Sequence, residues 1–183
     1  MIEQTNIKQI FADLDQQLGG ETSHMGTTWR LIICGGAALI SLGIRSTSTV
    51  DIDVLEPDLD AAMKQAAAII GSKHGLAPDW INNGPKDLAI HFAKDWHQRL
   101  SEVFRGKRLT VQAIGRPELI LSKVFAEADR QEDLDDILAL QPTPIEIESA
   151  ARLVATFDGH PDWPKHVERT AQRILKRMNI RSP

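Results

Sequence analysis

Cysteine is almost missing from this sequence of 183 residues, in which Cys34 is the only one. A single cysteine cannot form an internal disulfide, and cysteine-rich zinc sites are excluded. This usage fits a reducing cytoplasm, where we expect the protein. No stretch approaches the roughly 18 apolar residues of a membrane span. The segment 1–18 also lacks the basic-then-apolar plan of a signal peptide, so no membrane association is expected.

The sequence also has no large excess of positive or negative charge, because the formal net charge is only −4. This balance argues against a dedicated nucleic-acid coat, although a local basic face remains compatible with it. The six histidines are scattered without metalloprotease-type spacing. With 42% hydrophobic and 25% charged residues, the chain has the composition of an ordinary globular protein. Its length suits one compact domain or a domain with a small helical extension.

The apolar pattern predicts a mixed order of helices and strands in the first two thirds of the chain, followed by helices only. Helices are predicted at 7–18, 37–42, 59–70, 96–104, 117–140, 144–157 and 164–178. Strands are predicted at 29–34, 50–55, about 80–81, 88–92 and 108–114.

Two aspartates stand two residues apart in the predicted strand 50–55. On a strand, this spacing puts the side chains of Asp51 and Asp53 on one face and Ile52 on the other. Two adjacent carboxylates repel each other, and a divalent cation relieves that repulsion while it binds phosphate oxygens and water. The alternative is a charged face at the edge of a sheet, where charges deter aggregation.

A glycine pair, Gly35-Gly36, lies between the predicted strand 29–34 and the predicted helix 37–42. Glycine permits a tight turn and a close approach of the backbone to a ligand, and the amides that follow can hold phosphate oxygens. The loop before the aspartates carries one guanidinium and four hydroxyls, which suit triphosphate contacts: Arg45, Ser46, Thr47, Ser48 and Thr49. Each feature alone fits a plain turn or a polar surface loop. Together they predict phosphate-holding amides and metal-holding acids at one edge of a sheet.

The segments Ile33-Cys34-Gly35-Gly36 and Asp51-Ile52-Asp53-Val54 resemble the signature of the nucleotidyltransferase superfamily, which has the DNA polymerase β-like fold. That signature is a hydrophobic residue, a Gly followed by Gly or Ser and, after a short gap, an acidic–hydrophobic–acidic triplet. The gap here, 37–50, has 14 residues and is slightly longer than usual. The resemblance implies an α+β nucleotidyltransferase fold, with a mixed β-sheet flanked by helices, over residues 1–140. Residues 141–183 would then form a C-terminal helical extension.

A second set of residues is similar to the signature helix of the AbiEii-type toxins and their DUF6036-like relatives. The set consists of Lys123-Val124-Phe125-Ala126, Arg130, Asp133, Asp136 and Leu140. The segment Asp79-Trp80-Ile81-Asn82 resembles a short stretch of the DUF6036-like relatives.

The family mechanism implied by these resemblances uses Mg²⁺ or Mn²⁺ and an NTP. An acceptor hydroxyl attacks the α-phosphate and pyrophosphate leaves. By matching position, Asp51 and Asp53 would bind the metal, and the nucleotide would contact Gly35, Gly36, Ala37, Arg45 and Thr49. Lys123 would balance the triphosphate charge, and Asp133, with Asp136 as second choice, would be the acid of the helical motif. Without the resemblance, these charges would be interpreted as a solvated, salt-bridged helix face.

Two departures from the family pattern bear on activity. Many members have a Ser at or after the glycine pair, where Ala37 offers no hydroxyl. Many also carry a third acid on a later strand, and the strand 108–114 has Gln112 at the corresponding place. Asp87 is an alternative from the preceding segment. Either two metal-binding acids suffice, or catalysis is weak or lost.

The sequence therefore predicts a Mg²⁺-dependent nucleotidyltransferase with an unknown RNA or protein acceptor. The resemblance extends this hypothesis to the toxin of an AbiEii-like toxin–antitoxin system, with an antitoxin as partner. The rival hypothesis is a catalytically weak or inactive protein of this fold that binds or regulates. A glycosyltransferase with a D-x-D site would explain neither the glycine pair nor the Lys123 helix.

The last predicted helix is strongly basic. Its basic residues are Lys165, Arg169, Arg173, Lys176, Arg177 and Arg181, against the acidic Asp162 and Glu168. Such a helix could hold the phosphates of tRNA or another RNA, and the alternative is a solvated helix face.

Overall fold

The structure, a computed structural model, describes residues 1–20, 26–45 and 47–181, with side chains described as far as Asn179. Ser46, one of the loop hydroxyls considered for phosphate binding, lies outside these residues. The chain folds as two compact units. The first comprises Met1–Ile90 and Lys94–Ile114, and the second His91–Ala93 and Gly115–Pro183.

A mixed five-stranded sheet forms the first unit. Its strands are β1 (Trp29–Cys34), β2 (Ile52–Glu56), β3 (Ile81–Asn82), β4 (Ser101–Arg105) and β5 (Leu109–Ala113), arranged in the order β3-β2-β1-β5-β4. β1 lies parallel to β5 and antiparallel to β2, whereas β3 lies parallel to β2 and β4 antiparallel to β5. The central position of β1 explains its nearly continuous apolar run, because both faces of the strand are covered.

In the described residues of this unit, the sheet is accompanied by α1 (Ile7–Gly20), α2 (Gly35–Ser41) and α3 (Ala61–His74). The Asp60 side chain accepts a hydrogen bond from the Met63 N–H at 2.7 Å and so begins α3. Gly75, at φ 61°, ends α3 in the left-handed conformation. α1 packs against α3. The α+β fold with a mixed sheet, expected from the resemblance, is confirmed.

Buried Asp13 ties α1 to the end of α3. Its carboxylate lies 2.8 Å from Lys73 Nζ and 2.7 Å from His74 Nε2, and it accepts a hydrogen bond from Gln9 at 2.9 Å. The hydrogen bond from Lys73, with those from His74 and Gln9, outweighs burial and lowers the pKa of Asp13 to about 2.

Asp15 performs a similar task at the turn between β4 and β5. Its carboxylate accepts hydrogen bonds from the backbone N–H groups of Lys107 at 3.1 Å, Arg108 at 2.7 Å and Leu109 at 2.7 Å. The carboxylate fills the place that a Cβ at Gly106 would occupy, so a side chain at this position would displace the carboxylate from these hydrogen bonds.

The second unit is helical, with α4 (Arg116–Arg130), α5 (Leu134–Ala139), α6 (Pro144–Val154) and α7 (Trp163–Arg181). α4 packs against α6 and α7, and α6 packs against α7. α6 begins with a capping box in which the side chains of Thr143 and Glu146 each bind the backbone of the other residue. None of the helices in the described ranges is long and apolar enough to cross a membrane.

Three predicted elements are wrong. The helix predicted at 96–104 is a short 3₁₀-helix, Trp96–Arg99, followed by β4, because pairing with β5 outweighs the local periodicity. The strand predicted at 88–92 lies largely in a 3₁₀-helix, Lys86–His91, with no fully buried residue. The helix predicted at 117–140 breaks at Gln131, whose φ of 63° ends α4.

Candidate active site

The glycine turn after β1 forms the centre of the candidate site. β1 ends at Cys34, which pairs with Asp53 on β2, and Gly35 follows with φ 65°. A Cβ added to Gly35 would lie 2.6 Å from Asp53 Oδ2. The Asp53 carboxylate therefore packs directly against the Gly35 backbone, and only glycine leaves room for it there.

The second glycine is approached from the loop that follows α2. A Cβ added to Gly36 would lie 2.9 Å from Arg45 Nη1 and 3.0 Å from Thr49 Oγ1. Arg45 also donates to Thr47 Oγ1 at 2.5 Å and to the Ser48 carbonyl at 3.0 Å, so the loop is held in a compact shape. A guanidinium and a hydroxyl thus lie beside the backbone of Gly36, as expected of groups that bind phosphate.

Asp51 and Asp53 flank Ile52, whose side chain is fully buried. Both carboxylates are partly exposed, and the Thr49 hydroxyl donates to Asp51 Oδ1 at 3.3 Å. No group of three or more His, Cys, Asp or Glu side chains is placed to hold a metal in the described part of the chain. Two carboxylates nevertheless fit Mg²⁺, which is commonly bound by one or two carboxylates with substrate phosphates and water.

The structure brings the predicted loop and strand residues of the first unit together. Gly35, Gly36, Arg45, Thr49, Asp51 and Asp53 form one cluster. Ala37 follows within α2 and is buried. Their roles in binding nucleotide and metal stay predictions.

The neighbour of Asp53 on the sheet is Asn82, which sequence analysis did not propose for the site. β3 lies beside β2, and Asn82 is in register with Asp53. Its side-chain carbonyl accepts a hydrogen bond from the Gly84 N–H at 2.7 Å. Gln112, considered for a third acid position, lies on β5 with β1 between it and β2, and it accepts a hydrogen bond from Arg30. The run Trp80-Ile81-Asn82, buried and then polar, was the available sequence signal for a strand residue at this place.

Asp87, the other substitute for a third acid, lies in the 3₁₀-helix Lys86–His91 and is exposed.

Lys123 and Asp133 belong to the second unit, where they bind each other. Lys123 Nζ lies 2.6 Å from Asp133 Oδ1 and 2.6 Å from Asp136 Oδ2, and Lys123 is only 5% exposed. The alternative of a solvated helix face is thus wrong for this lysine. It is a buried cation that holds two carboxylates from the segment after α4.

The ion pair continues into a wider network of charges. Arg130 donates to Asp133 Oδ2 at 3.1 Å, and the Glu127 carboxylate accepts from the Asp133 N–H at 2.8 Å and from Arg173 at 2.8 Å. Burial disfavours the charged form of Asp133, but Lys123 and Arg130 outweigh it and lower the pKa of this carboxyl. This network explains why α4 ends at Gln131, because the chain must turn back to bring Asp133 to Lys123.

The fold is an α+β domain in which a glycine turn follows β1, with Asp53 on the neighbouring antiparallel strand β2 and Asp51 directly before that strand. A family model described as nucleotidyltransferase of unknown function (DUF6036) matches residues 5–143, and the chain belongs to this family. Comparison with curated proteins and with solved structures gives no significant match. The structural units divide at Gly115, whereas the family match ends at residue 143, and the division predicted at residue 140 stays a prediction.

Proposed function

We propose that this chain is a Mg²⁺- or Mn²⁺-dependent nucleotidyltransferase that transfers a nucleotide from an NTP to a hydroxyl of an RNA or protein acceptor. The observation that carries the proposal is the Asp53 carboxylate packed against Gly35. This contact supports the proposal because a carboxylate, a group that Mg²⁺ prefers, lies beside a backbone turn whose first residue has no side chain.

In the proposed reaction, the acceptor oxygen bonds to the α-phosphorus and its proton is released. The bond from the α-phosphorus to the bridging oxygen breaks, and pyrophosphate leaves with that electron pair. A divalent cation bound by Asp51 and Asp53 would supply neutralisation of the phosphate charge. Arg45 and Thr49 would donate hydrogen bonds to phosphate oxygens at Gly36 and the Ala37 amide, and so orient the NTP.

The contacts of Lys123 and Asp133 favour a structural role for the pair over the direct contact with triphosphate that the resemblance implies. A lysine that is 5% exposed and held by two aspartates at 2.6 Å is already neutralised by protein groups. We propose that this pair supports the protein by joining α4 to the segment before α5. A direct contact of Lys123 with triphosphate remains a prediction of the resemblance.

Label transfer from NTPs tests the activity. The protein is incubated with each α-labelled NTP, Mg²⁺ or Mn²⁺, and either total RNA or total protein from cells. Asp53→Asn should lower incorporation at least a hundredfold, which corresponds to about 2.7 kcal/mol of transition-state stabilisation. Asp58→Asn is the matched control, because Asp58 is an exposed acid of the same unit whose Lys86 contact is 3.3 Å long. Equal incorporation by the two variants would refute the proposed metal site.

A second candidate function is a binding or regulatory protein with a catalytically weak or inactive site. It is favoured by Asn82, which places a neutral amide rather than a carboxylate beside Asp53. This candidate predicts that NTP and Mg²⁺ raise the melting temperature while no label is transferred to any acceptor. Transfer of label to an acceptor far above the level of the Asp53→Asn variant would exclude it.

RNA is the acceptor class favoured by α7. Four basic side chains on this helix are exposed: Lys165, Arg169, Lys176 and Arg177. Arg173 is already paired with Glu127 at 2.8 Å, so it does not belong to the RNA-binding set, and the Arg181 side chain lies outside the described residues. Replacing the four with Gln should weaken RNA binding and flatten its salt dependence, and an unchanged salt slope would contradict this assignment.

We further propose that the nucleotide transfer makes the chain toxic to the cell that expresses it, as in a toxin–antitoxin system. Expression of the chain should arrest growth, expression of Asp53→Asn should not, and a neighbouring antitoxin gene should rescue growth. Growth arrest by both the unchanged chain and Asp53→Asn would show that the toxicity does not depend on nucleotide transfer.

A further inference from the structure

A short segment at residues 1–3 is hydrogen-bonded to the loop that carries Thr49. The Ile2 N–H donates to the Thr49 carbonyl at 2.8 Å, and the Thr49 N–H donates to the Ile2 carbonyl at 2.8 Å. The two residues form an isolated antiparallel bridge. Because the bridge uses both backbone polar groups of Thr49, it fixes this residue at the end of its loop.

The segment is itself anchored at two points. The Ile2 side chain is 0% exposed and belongs to the core. The Asn6 side chain, directly before α1, accepts from the Glu3 N–H at 2.8 Å and donates to the Met1 carbonyl at 3.1 Å. The bridge therefore joins the loop to both the core and α1.

Thr49 touches both parts of the candidate site. Its hydroxyl lies 3.0 Å from the place of a Cβ on Gly36 and 3.3 Å from Asp51 Oδ1. The turn Gly35-Gly36-Ala37 carries no hydroxyl of its own. The hydrogen bonds from Arg45 to Thr47 and Ser48 lie within the loop, whereas the Ile2 bridge joins the loop to a distant part of the chain.

We propose that the segment Met1–Glu3 positions Thr49 at the Gly36 turn, so that Thr49 binds the triphosphate of the nucleotide. This inference rests on the proposed function. Ile2 and Asn6 are positioning residues, because they act through Thr49 and touch neither phosphate nor metal.

Calorimetric titration with inorganic tripolyphosphate and Mg²⁺ tests the inference without knowledge of the base or the acceptor. Ile2→Ala and Asn6→Ala should each raise the dissociation constant about five- to tenfold, because Thr49 loses its fixed position. Leu109→Ala is the matched control, since it also truncates a buried side chain of the same unit. Leu109 pairs with Trp29, which lies six residues before Gly35 and therefore about 20 Å from it along β1. The dissociation constant of the Leu109→Ala variant for tripolyphosphate should change less than twofold.

A double-mutant cycle separates positioning from general destabilisation. In a Thr49→Ala background, Ile2→Ala and Asn6→Ala should cause no further loss of affinity. Asn6→Asp keeps an acceptor for the Glu3 N–H and should bind nearly as well as the unchanged chain. If Ile2→Ala does not fold, the two Asn6 variants decide the question.

The outcomes distinguish the two proposals. Tripolyphosphate binding that is unaffected by Ile2→Ala and Asn6→Ala, or equal losses with and without Thr49, would overturn the positioning role and leave the proposed function standing. Failure of the unchanged chain to bind tripolyphosphate would overturn the proposed function, and the positioning role with it.

Discussion

Replacement of Gly35 by alanine tests the candidate site most directly. The added Cβ would lie 2.6 Å from Asp53 Oδ2, well inside the 3.4 Å at which ordinary contact begins. The carboxylate must then move by about 0.8 Å, which is enough to disrupt a bound metal whose ligand distances are held to about 0.2 Å. The positive φ of 65° adds a backbone cost of about 1–2 kcal/mol.

Gly75→Ala is the matched control for this backbone cost. Gly75 has φ 61°, and nothing lies within 4 Å of the place of its Cβ. Both variants should therefore lose about 1–2 kcal/mol of unfolding free energy, whereas only Gly35→Ala should displace Asp53. The difference between Gly35→Ala and Gly75→Ala therefore measures the effect of displacing Asp53, separate from the backbone cost that both variants share.

Urea denaturation with and without Mg²⁺ and NTP measures both effects. A ligand present at 100 times its dissociation constant stabilises the folded state by about 2.7 kcal/mol. The unchanged chain and Gly75→Ala should show this gain, and Gly35→Ala should show little of it. An equal gain for the two variants would refute the reasoning that Asp53 and the glycine turn form one metal-and-phosphate site.

The remaining predictions concern the metal site, the buried lysine and acid pH. Asn82→Asp places a carboxylate beside Asp53 and should tighten Mn²⁺ binding about tenfold, measured by paramagnetic titration; weaker binding would place residue 82 outside the site. Lys123→Met removes the buried cation that Asp133 and Asp136 share, while Arg130 stays beside Asp133. The variant should lose about 3–5 kcal/mol of unfolding free energy, and a loss below 1 kcal/mol in urea denaturation would contradict the buried ion pair. The pKa of Asp13 is lowered from 3.8 to about 2, so its contribution is present above pH 3.8 and disappears as the pH falls through 2. Asp13→Asn should flatten that part of the stability profile, and an unchanged profile would count against the contacts of Asp13.

The first half of the site could be predicted because its pattern is local. The glycine pair, the short helix and the aspartate pair occur within residues 35–53. Strand alternation predicts both aspartates on one face, whereas β2 begins at Ile52, directly after Asp51. Chain connectivity then keeps β1 and β2 close enough to pair, which the register of Cys34 with Asp53 confirms.

The remaining features depend on pairings that local patterns do not specify. β4 was predicted as a helix, because only its register with β5 shows that it is a strand. Asn82 was named only within the stretch that resembles the family and was not assigned to the site, since its importance comes from the neighbouring Asp53 rather than from its own segment. The break after α4 falls at Gln131, with neither glycine nor proline to indicate it, and it follows from the pairing of Lys123 with Asp133.

The polar contacts of α1 impose an order on folding. The Asp15 carboxylate binds the backbone N–H of Arg108, which lies 93 residues later in the chain. The Asp13 carboxylate binds the side chain of His74, which lies 61 residues later. Neither contact can form before its partner has been synthesised. At ordinary rates of translation, the interval between Asp15 and its partner is about 5–20 s. Until then, α1 lacks β5, the strand against which it packs, and its apolar face is available to chaperones or to the apolar faces of other nascent chains. Slow synthesis of residues 75–108 should therefore affect the yield of folded protein more than slow synthesis of the helices that follow.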